Sequence, residues 1–261
     1  MATLVSFNAH PDDEAIISGG TMAKAATEGH RVVLVVATRG ERGEVAEGFL
    51  GPGEALEERR TRETYESARI LGVSRVEFLG YRDSGMMGTP ENDAPGSFWR
   101  ADQEEAARRL AAILVEEKAD VLTIYDQNGN YGHPDHIQVH RVGLRAADLA
   151  GTPRVYEATA DREYLMDLLA RATEMGIEVP EVDAGEFGTP AHLITTEVDV
   201  TDYLEQKRAA MAAHASQIAE TSFFLAMPPE AFAATWGKEW FVRHGARPER
   251  REHGLFEGLD G

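Results

Sequence analysis

The stretch LVSFNAHPDDEAIISGGTMAKAATEGHRVVLVVA, running from Leu4 to Ala37, decides the fold. Leu4–Phe7 is a short apolar run, and Val32–Ala37 is an unbroken one of six residues. Unbroken apolar strands are what a parallel sheet covered on both faces requires. Between the two runs a helix is predicted from about Glu14 to Glu28, with Gly29 as its stop signal. The same rhythm continues outward. A helix over Ala55–Leu71 ends at Gly72, and a strand follows over Arg75–Leu79. A helix over Gln103–Lys118 carries Leu110, Ile113 and Leu114 at helical spacing. The strand Val121–Tyr125, the helix Pro134–Leu149 with proline in its first turn, and the strand Arg154–Glu157 complete the series. Strand–helix alternation of this kind predicts an α/β fold, a Rossmann-like parallel sheet flanked by helices.

After Asp161 the pattern changes. A helix over about Glu163–Met175 precedes the Pro/Gly-rich stretch Val179–Pro190. A strand near Leu193–Thr196 and a helix over about Tyr203–His214 follow, and Gly245–Gly261 is polar and expected to be loose. Residues 1–160 are read as the core, and residues 161–261 as a smaller C-terminal subdomain packing on it.

Composition removes several classes of function. The 261 residues carry 26 Lys+Arg against 45 Asp+Glu, a net charge of −19. Such a chain lacks the clustered cations that displace counterions from nucleic acid, and an anionic membrane surface would repel it. It contains no cysteine. Disulfides, thiolate metal sites and cysteine nucleophiles are thereby excluded, so any metal must be held by His, Asp and Glu. No apolar run approaches a membrane span. The opening MATLVSFNAH has neither the basic nor the long apolar region of a signal peptide, so a cytoplasmic protein is expected. Subunit number stays open, and a homo-oligomer is compatible with the sequence.

In open parallel sheets, ligands sit beyond the carboxyl ends of the strands. Three loops leave that edge: Asn8–Asp13, Arg39–Gly53 and Asp126–Asp135. The first holds His10, Asp12, Asp13 and Glu14, where His10 and Asp13 can converge on one cation and leave Asp12 beside them to take a proton. The bland alternative is that these carboxylates only cap a helix and complement its dipole. The other motif-bearing loop leads through Tyr131, His133, Asp135 and His136, with His140 one turn further along. Three of the nine histidines thus fall within eight residues. A mixed His/carboxylate site without thiolate suits zinc, iron or a similar divalent ion. Spacing alone does not separate Asp12 from Asp13, or His136 from His140, as ligands. The turn after the first strand has no GxGxxG, and GxxxxGK[ST], HExxH and GxSxG are absent from the chain. Dinucleotide, P-loop, zincin and serine-hydrolase readings lose support accordingly.

HPDDE at His10–Glu14 and GHPDH at Gly132–His136, in matching strand contexts, resemble the PIG-L/LmbE-like N-acetylglucosaminyl deacetylase family. The resemblance covers roughly Thr3–Arg145, with weaker support at Lys207–Gln217. The segments Tyr81–Met86 and Tyr125–His136 look closest to the actinobacterial branch that handles mycothiol precursors and conjugates. The resemblance implies a metal-dependent hydrolase and a role for each matching residue. His10, Asp13 and His136 hold the metal, Zn2+ or another divalent ion such as Fe2+. Asp12 is the general base, His133 the acid or oxyanion stabiliser oriented by Asp135, and Tyr131 a mobile group near the reacting carbonyl. Asp83 would contact sugar hydroxyls, and Arg60 would lie near the polar end of the substrate. Arg59 and Arg62 lie close enough to compete for that role. The alternative is that all three arginines pair with Glu57, Glu58 and Glu63 on a solvated helix face, which is the reading preferred for Arg59. The implied substrate is a small amino sugar, an N-acetylglucosamine derivative that would yield acetate and a free amine. Two other functions compete: an amidase of mycothiol S-conjugates using the same machinery, and a non-catalytic carbohydrate-binding protein with a structural metal. Simple binding would not require a base and an acid beside the metal, which disfavours the last.

Overall fold

The computed structural model describes residues 1–174, 187–222, 224–246 and 250–259. In chain order the first half comprises β1 (Thr3–Asn8), α1 (Asp13–Ile17), α2 (Gly19–Thr27), β2 (Arg31–Val36), α3 (Leu56–Ile70), β3 (Arg75–Phe78), α4 (Gln103–Glu117) and β4 (Val121–Tyr125). A single turn, α5 (Gly129–Gly132), leads into α6 (Pro134–Ala150) and β5 (Arg154–Thr159). Then come α7 (Arg162–Glu174), β6 (Thr196–Asp199), α8 (Leu204–Ala213), α9 (Pro229–Trp236) and β7 (Lys238–Arg243).

One sheet carries all these strands in the order β3-β2-β1-β4-β5-β7-β6. Strands β1 to β5 pair in parallel. The expected parallel sheet is therefore present, but β7 and β6 extend it in antiparallel fashion and make it mixed. Neither β7 nor α9 is marked in the sequence by a run long enough to read, and β6 begins at Thr196, where the expected strand ends. Residues after 160 thus supply two strands to the sheet as well as helices against it. The end of the chain is not loose throughout: Leu255 is buried, and Glu252 accepts from Thr196 Oγ1 at 2.9 Å and Tyr156 Oη at 3.1 Å. Met175, at the end of the expected helix, and residues 179–186 of the Pro/Gly-rich stretch lie outside the described residues.

Alternation along β1 explains why both faces are apolar. Val5 and Phe7 pack under α4 and α6 with Leu110, Leu114, Val139 and Val142, while Leu4 packs on the opposite side with Met22, Met211 and Ile218. Helix α6 lies so close to the sheet that a Cβ at Gly143 would stand 2.5 Å from Ile124 Cγ2. The single helix expected over Glu14–Glu28 is in fact two, broken at Ser18. The Ser18-Gly19-Gly20 triplet favours a break there, and a residue distant in sequence completes it. The Glu239 carboxylate accepts from the Gly20 and Thr21 N–H groups at 2.9 and 2.8 Å, capping α2 as a separate helix.

Strand order decides where a ligand can bind. The chain runs outward from β1 through β2 to β3, then returns to the other side of β1 as β4. The switch point lies between β1 and β4, so the loops leaving these two strands face each other over the carboxyl edge.

Candidate active site

The two loops are tied together at their roots. Tyr125, the last residue of β4, accepts the Ala9 N–H on its hydroxyl at 3.0 Å, and its ring stacks on His136 at 4.1 Å between centroids. Beyond Ala9 the chain turns through Pro11 and Asp12, whose φ of 91° and ψ of −32° lie in the region that favours glycine. A non-glycine residue held there costs on the order of 1–3 kcal/mol and marks a position fixed by its surroundings. Beyond β4, Pro134 starts α6 with His133 as its N-cap.

His10, Asp13, His133, Asp135 and His136 are all buried. His10 Nδ1 and His136 Nε2 lie 3.3 and 3.4 Å from the same oxygen, Asp13 Oδ2. On its other side, His10 Nε2 lies 3.1 Å from Asp135 Oδ2, with Asp83 Oδ1 at 3.6 Å. A ring nitrogen that donates to a carboxylate leaves the opposite nitrogen as a lone pair, the usual arrangement behind a metal-binding histidine. Neither ring nitrogen of His136 has a hydrogen-bond partner. Leaving a buried polar atom unpaired costs roughly 1–3 kcal/mol, so such a group calls for a missing partner. His10 Nδ1 and His136 Nε2 each stand from Asp13 Oδ2 at a distance that two ligands of one ion can take. The residues present fit a divalent ion. His10, His133 and His136 bring ring nitrogens within 4.8 Å of one another, and so do ligand atoms of His10, Asp83 and Asp135.

The electrostatics separate the neighbouring groups. Asp12 is pushed up to about 6, chiefly by burial, with Arg60 opposing and Asp13 adding to the rise. Burial would also raise Asp13, but the charges of His136 and His10 hold it well below the usual carboxylate range. His133 is pushed down to about 4 by burial and by its histidine neighbours, which favours the neutral ring. Its Nδ1 accepts the Asp135 N–H at 3.2 Å, leaving Nε2 to carry the proton of that neutral ring. The Asp135 carboxylate does not meet His133 by any of these bonds. It faces His10 and is held by the Ser84 N–H at 2.9 Å and by the Ser84 hydroxyl.

The remaining candidates are placed as follows. Tyr131 is 55% exposed, with its ring centroid 4.9 Å from that of His136 and 6.1 Å from that of His133. Asp83 is buried, accepting from the N–H groups of Arg42 at 3.2 Å and Gly85 at 2.9 Å. Arg60 is enclosed behind Asp12, with Nη2 3.3 Å from Asp12 Oδ2 and donating to the Pro11 carbonyl, while Nη1 donates to the Gly40 carbonyl at 2.6 Å. Arg59 and Arg62 both pair with Glu54, not with Glu57, Glu58 or Glu63. His140 turns toward the sheet, its Nδ1 3.0 Å from the Tyr125 carbonyl oxygen and 3.8 Å from Glu157 Oε2.

Several participants escaped the sequence reading. Ser84 and Tyr125 lie in two segments that carry the resemblance, yet neither was given a role. Glu14 was assigned only to helix capping, yet it is fully buried, and its Oε1 lies 2.6 Å from His214 Nε2. The segment Lys207–Gln217 that supplies His214 had drawn notice only through its family pattern.

The sequence signature of PIG-L, described as GlcNAc-PI de-N-acetylase, matches residues 5–147. The 1D-myo-inositol 2-acetamido-2-deoxy-alpha-D-glucopyranoside deacetylase of Thermomonospora curvata is 41% identical, over 97% of this chain and 96% of its own length. The protein of the same name from Thermobifida fusca is 40% identical, over 96% of both chains. Among solved structures, N,N'-diacetylchitobiose deacetylase from Pyrococcus horikoshii superposes with a TM-score of 0.60 at 24% identity, over 92% of this chain and 83% of the other. That last likeness supports the fold.

Proposed function

The chain belongs to the PIG-L family, and from that premise we propose that it removes the N-acetyl group from a glucosamine carried on myo-inositol. It is a hydrolase of the amide C–N bond of an N-acetylglucosamine derivative, related to named deacetylases over nearly its whole length. The observation that supports the reading best is His136, buried between the two loops of the switch point with neither ring nitrogen hydrogen-bonded and Nε2 turned toward Asp13.

His10, Asp13 and His136 would hold the divalent ion, and zinc suits a tetrahedral His/His/Asp set best. Such an ion acidifies a water and polarises a carbonyl at neutral pH. The protein groups divide the proton work. Asp12 accepts a proton from the attacking water as its oxygen bonds to the acetyl carbon. His133 offers its Nε2–H to the oxygen that gains charge. When the C–N bond breaks, the proton held by Asp12 passes to the departing nitrogen, giving acetate and the free amine. Asp135 orients His10, and Tyr131 stands at the exposed side of the histidine rings. Asp83 accepts from sugar hydroxyls after exchanging one of its backbone donors. Arg60 acts through Asp12, which it contacts, on the side away from solvent. A small-molecule substrate in the cytoplasm fits an acidic chain in which, among the described residues, no helix is long and apolar enough to cross a membrane.

A second reading has one observation behind it. A cavity of about 580 Å³ opens beside Asp12 and Asp13 and is lined in part by Ile17, Leu165, Leu168, Leu169 and Trp236. An apolar chamber of that size would accept an acyl group larger than acetyl, as an S-conjugate amidase requires. Purified, metal-loaded protein should release amine fastest from the acetylated inositol glucosaminide. Faster release from a bulky thiol conjugate would favour the amidase, and no release from either would end both readings.

A further inference from the structure

The Asp12 backbone is held from behind by a chain of buried groups that the proton transfers leave unused. The Asp12 N–H donates to Glu14 Oε2 at 3.0 Å. The other oxygen of Glu14 accepts the Ser67 hydroxyl of α3 at 2.6 Å and lies 2.6 Å from His214 Nε2, just beyond α8. Glu14 and His214 are both fully buried, and 200 residues separate them. The Asp12 carbonyl meanwhile accepts the N–H groups of Ala15 and Ile16 at 3.0 and 3.2 Å. Both backbone polar groups of the residue with φ of 91° are therefore occupied, and Arg60 fixes the Pro11 carbonyl in front of it.

A helix cap alone would not need this arrangement. A first-turn glutamate that bonds the N-cap N–H is half of a capping box, and that bond needs no other element. Glu14 makes this bond to Asp12 and in addition is fully buried, with its second oxygen clamped by two other elements. Removing either clamp frees the carboxylate to rotate, and with it the backbone that aims Asp12. We propose that Glu14 and His214 are positioning residues, which hold Asp12 in its left-handed conformation so that its carboxylate stands beside Asp13 and the metal ligands. The C-terminal segment thereby completes the site from outside residues 5–147 that carry the family signature. This rests on Asp12 being the base, as proposed above.

The test uses the full-length, metal-loaded protein with His214→Leu, His214→Gln and Glu14→Gln. Leucine removes the donor, whereas glutamine at 214 can replace it with an amide N–H. At position 14, glutamine leaves one of the two clamps facing a donor with a donor. Metal content and thermal melting are recorded for each, and turnover is measured per metal-loaded molecule well below the melting transition. His214→Leu and Glu14→Gln should each lower kcat ~10–100-fold with KM within about threefold and metal content unchanged, because a misaimed group loses rate without losing affinity. His214→Gln should recover most of the rate. Crystal structures of the two impaired variants should show Asp12 out of the positive-φ region or its contact with Arg60 opened. Parental kcat per metal-loaded molecule in both variants, with Asp12 still near its original conformation, would overturn the inference and leave these residues a purely structural part. If the parent protein hydrolyses no N-acetylglucosaminide, that failure belongs to the proposed function, and the crystal structures alone decide whether Glu14 and His214 set the conformation of Asp12.

Discussion

Two groups of buried charge lie on either side of α1, and they are satisfied in opposite ways. In front, His10, Asp13, Asp135 and His136 crowd one another, and both nitrogens of His136 lack partners. Behind, Lys207 donates to Glu239 and to the Ile16 carbonyl at 2.8 Å, and Glu239 also takes two N–H groups of α2. Glu63 accepts both the N–H and the hydroxyl of Ser216, at 3.0 and 2.6 Å. In the rear group every one of these carboxylates has its donors, and His214 Nδ1 is the unpaired exception. Similar residues at similar depth thus serve different ends. A buried network closed on itself secures the fold, while one left open awaits something from outside.

The comparison breaks first if the front group proves structural. His136→Ala should abolish metal binding and bring turnover to the background rate, while the metal-free protein stays folded. Elemental analysis and calorimetry check both halves, and loss of folding with the histidine would place His136 among the structural groups. Next in size is Asp12→Asn, expected to lower turnover ~10²–10⁴-fold, the usual size of general acid–base catalysis, with metal content kept. Loss of the metal in that variant would mean that Asp12 and Asp13 have each other's roles.

The rear group should respond in stability instead. Lys207→Met leaves Glu239 without its cation and should cost roughly 3–5 kcal/mol, the usual penalty for breaking one side of a buried pair. Denaturant unfolding measures it, and a cost below that of an ordinary surface change would mean the pair is not holding α8 to α1 and α2. The smallest effect concerns Asp83. Asp83→Ala should raise KM for the sugar roughly tenfold, about the worth of one hydrogen bond to a charged group, and leave metal content intact. An unchanged KM would remove Asp83 from the sugar site.

The division between the two groups also marks what could be read from the sequence. The five parallel strands were legible from apolar and β-branched residues recurring between helical patterns, even though β3 (RVEF) and β5 (RVYEAT) carry charges. The front loops were legible because their His and Asp residues follow strands directly. The rear group depends on partners far apart in the chain. The Ser18-Gly19-Gly20 triplet is a local break signal that the expectation of one helix passed over, whereas its cap, Glu239, lies 219 residues from Gly20 and could not be read locally. Strand β7, KEWFVR, is six residues long and gains its place only by pairing with β5 and β6. Asp135 was expected to orient neighbouring His133, but its carboxylate faces His10, a contact that bridges 125 residues and leaves no local mark. Arg60, Arg59 and Arg62 stand almost together in sequence but differ in burial, and only packing against the Pro11 turn singles out Arg60.

The adjacency of β1 and β4 has a thermodynamic consequence. Each loop would contribute part of the proposed cation site, so a chain in which these strands have not yet paired would offer no complete set of ligands. A metal that binds the finished fold and not the open chain stabilises it by mass action, about 2.7 kcal/mol when the free ion stands at 100 times its Kd. Loading would then act as a late checkpoint on assembly. Molecules in which the long intervening excursion through β2, β3 and α4 has gone astray would remain apo, inert toward amides and the first to unfold.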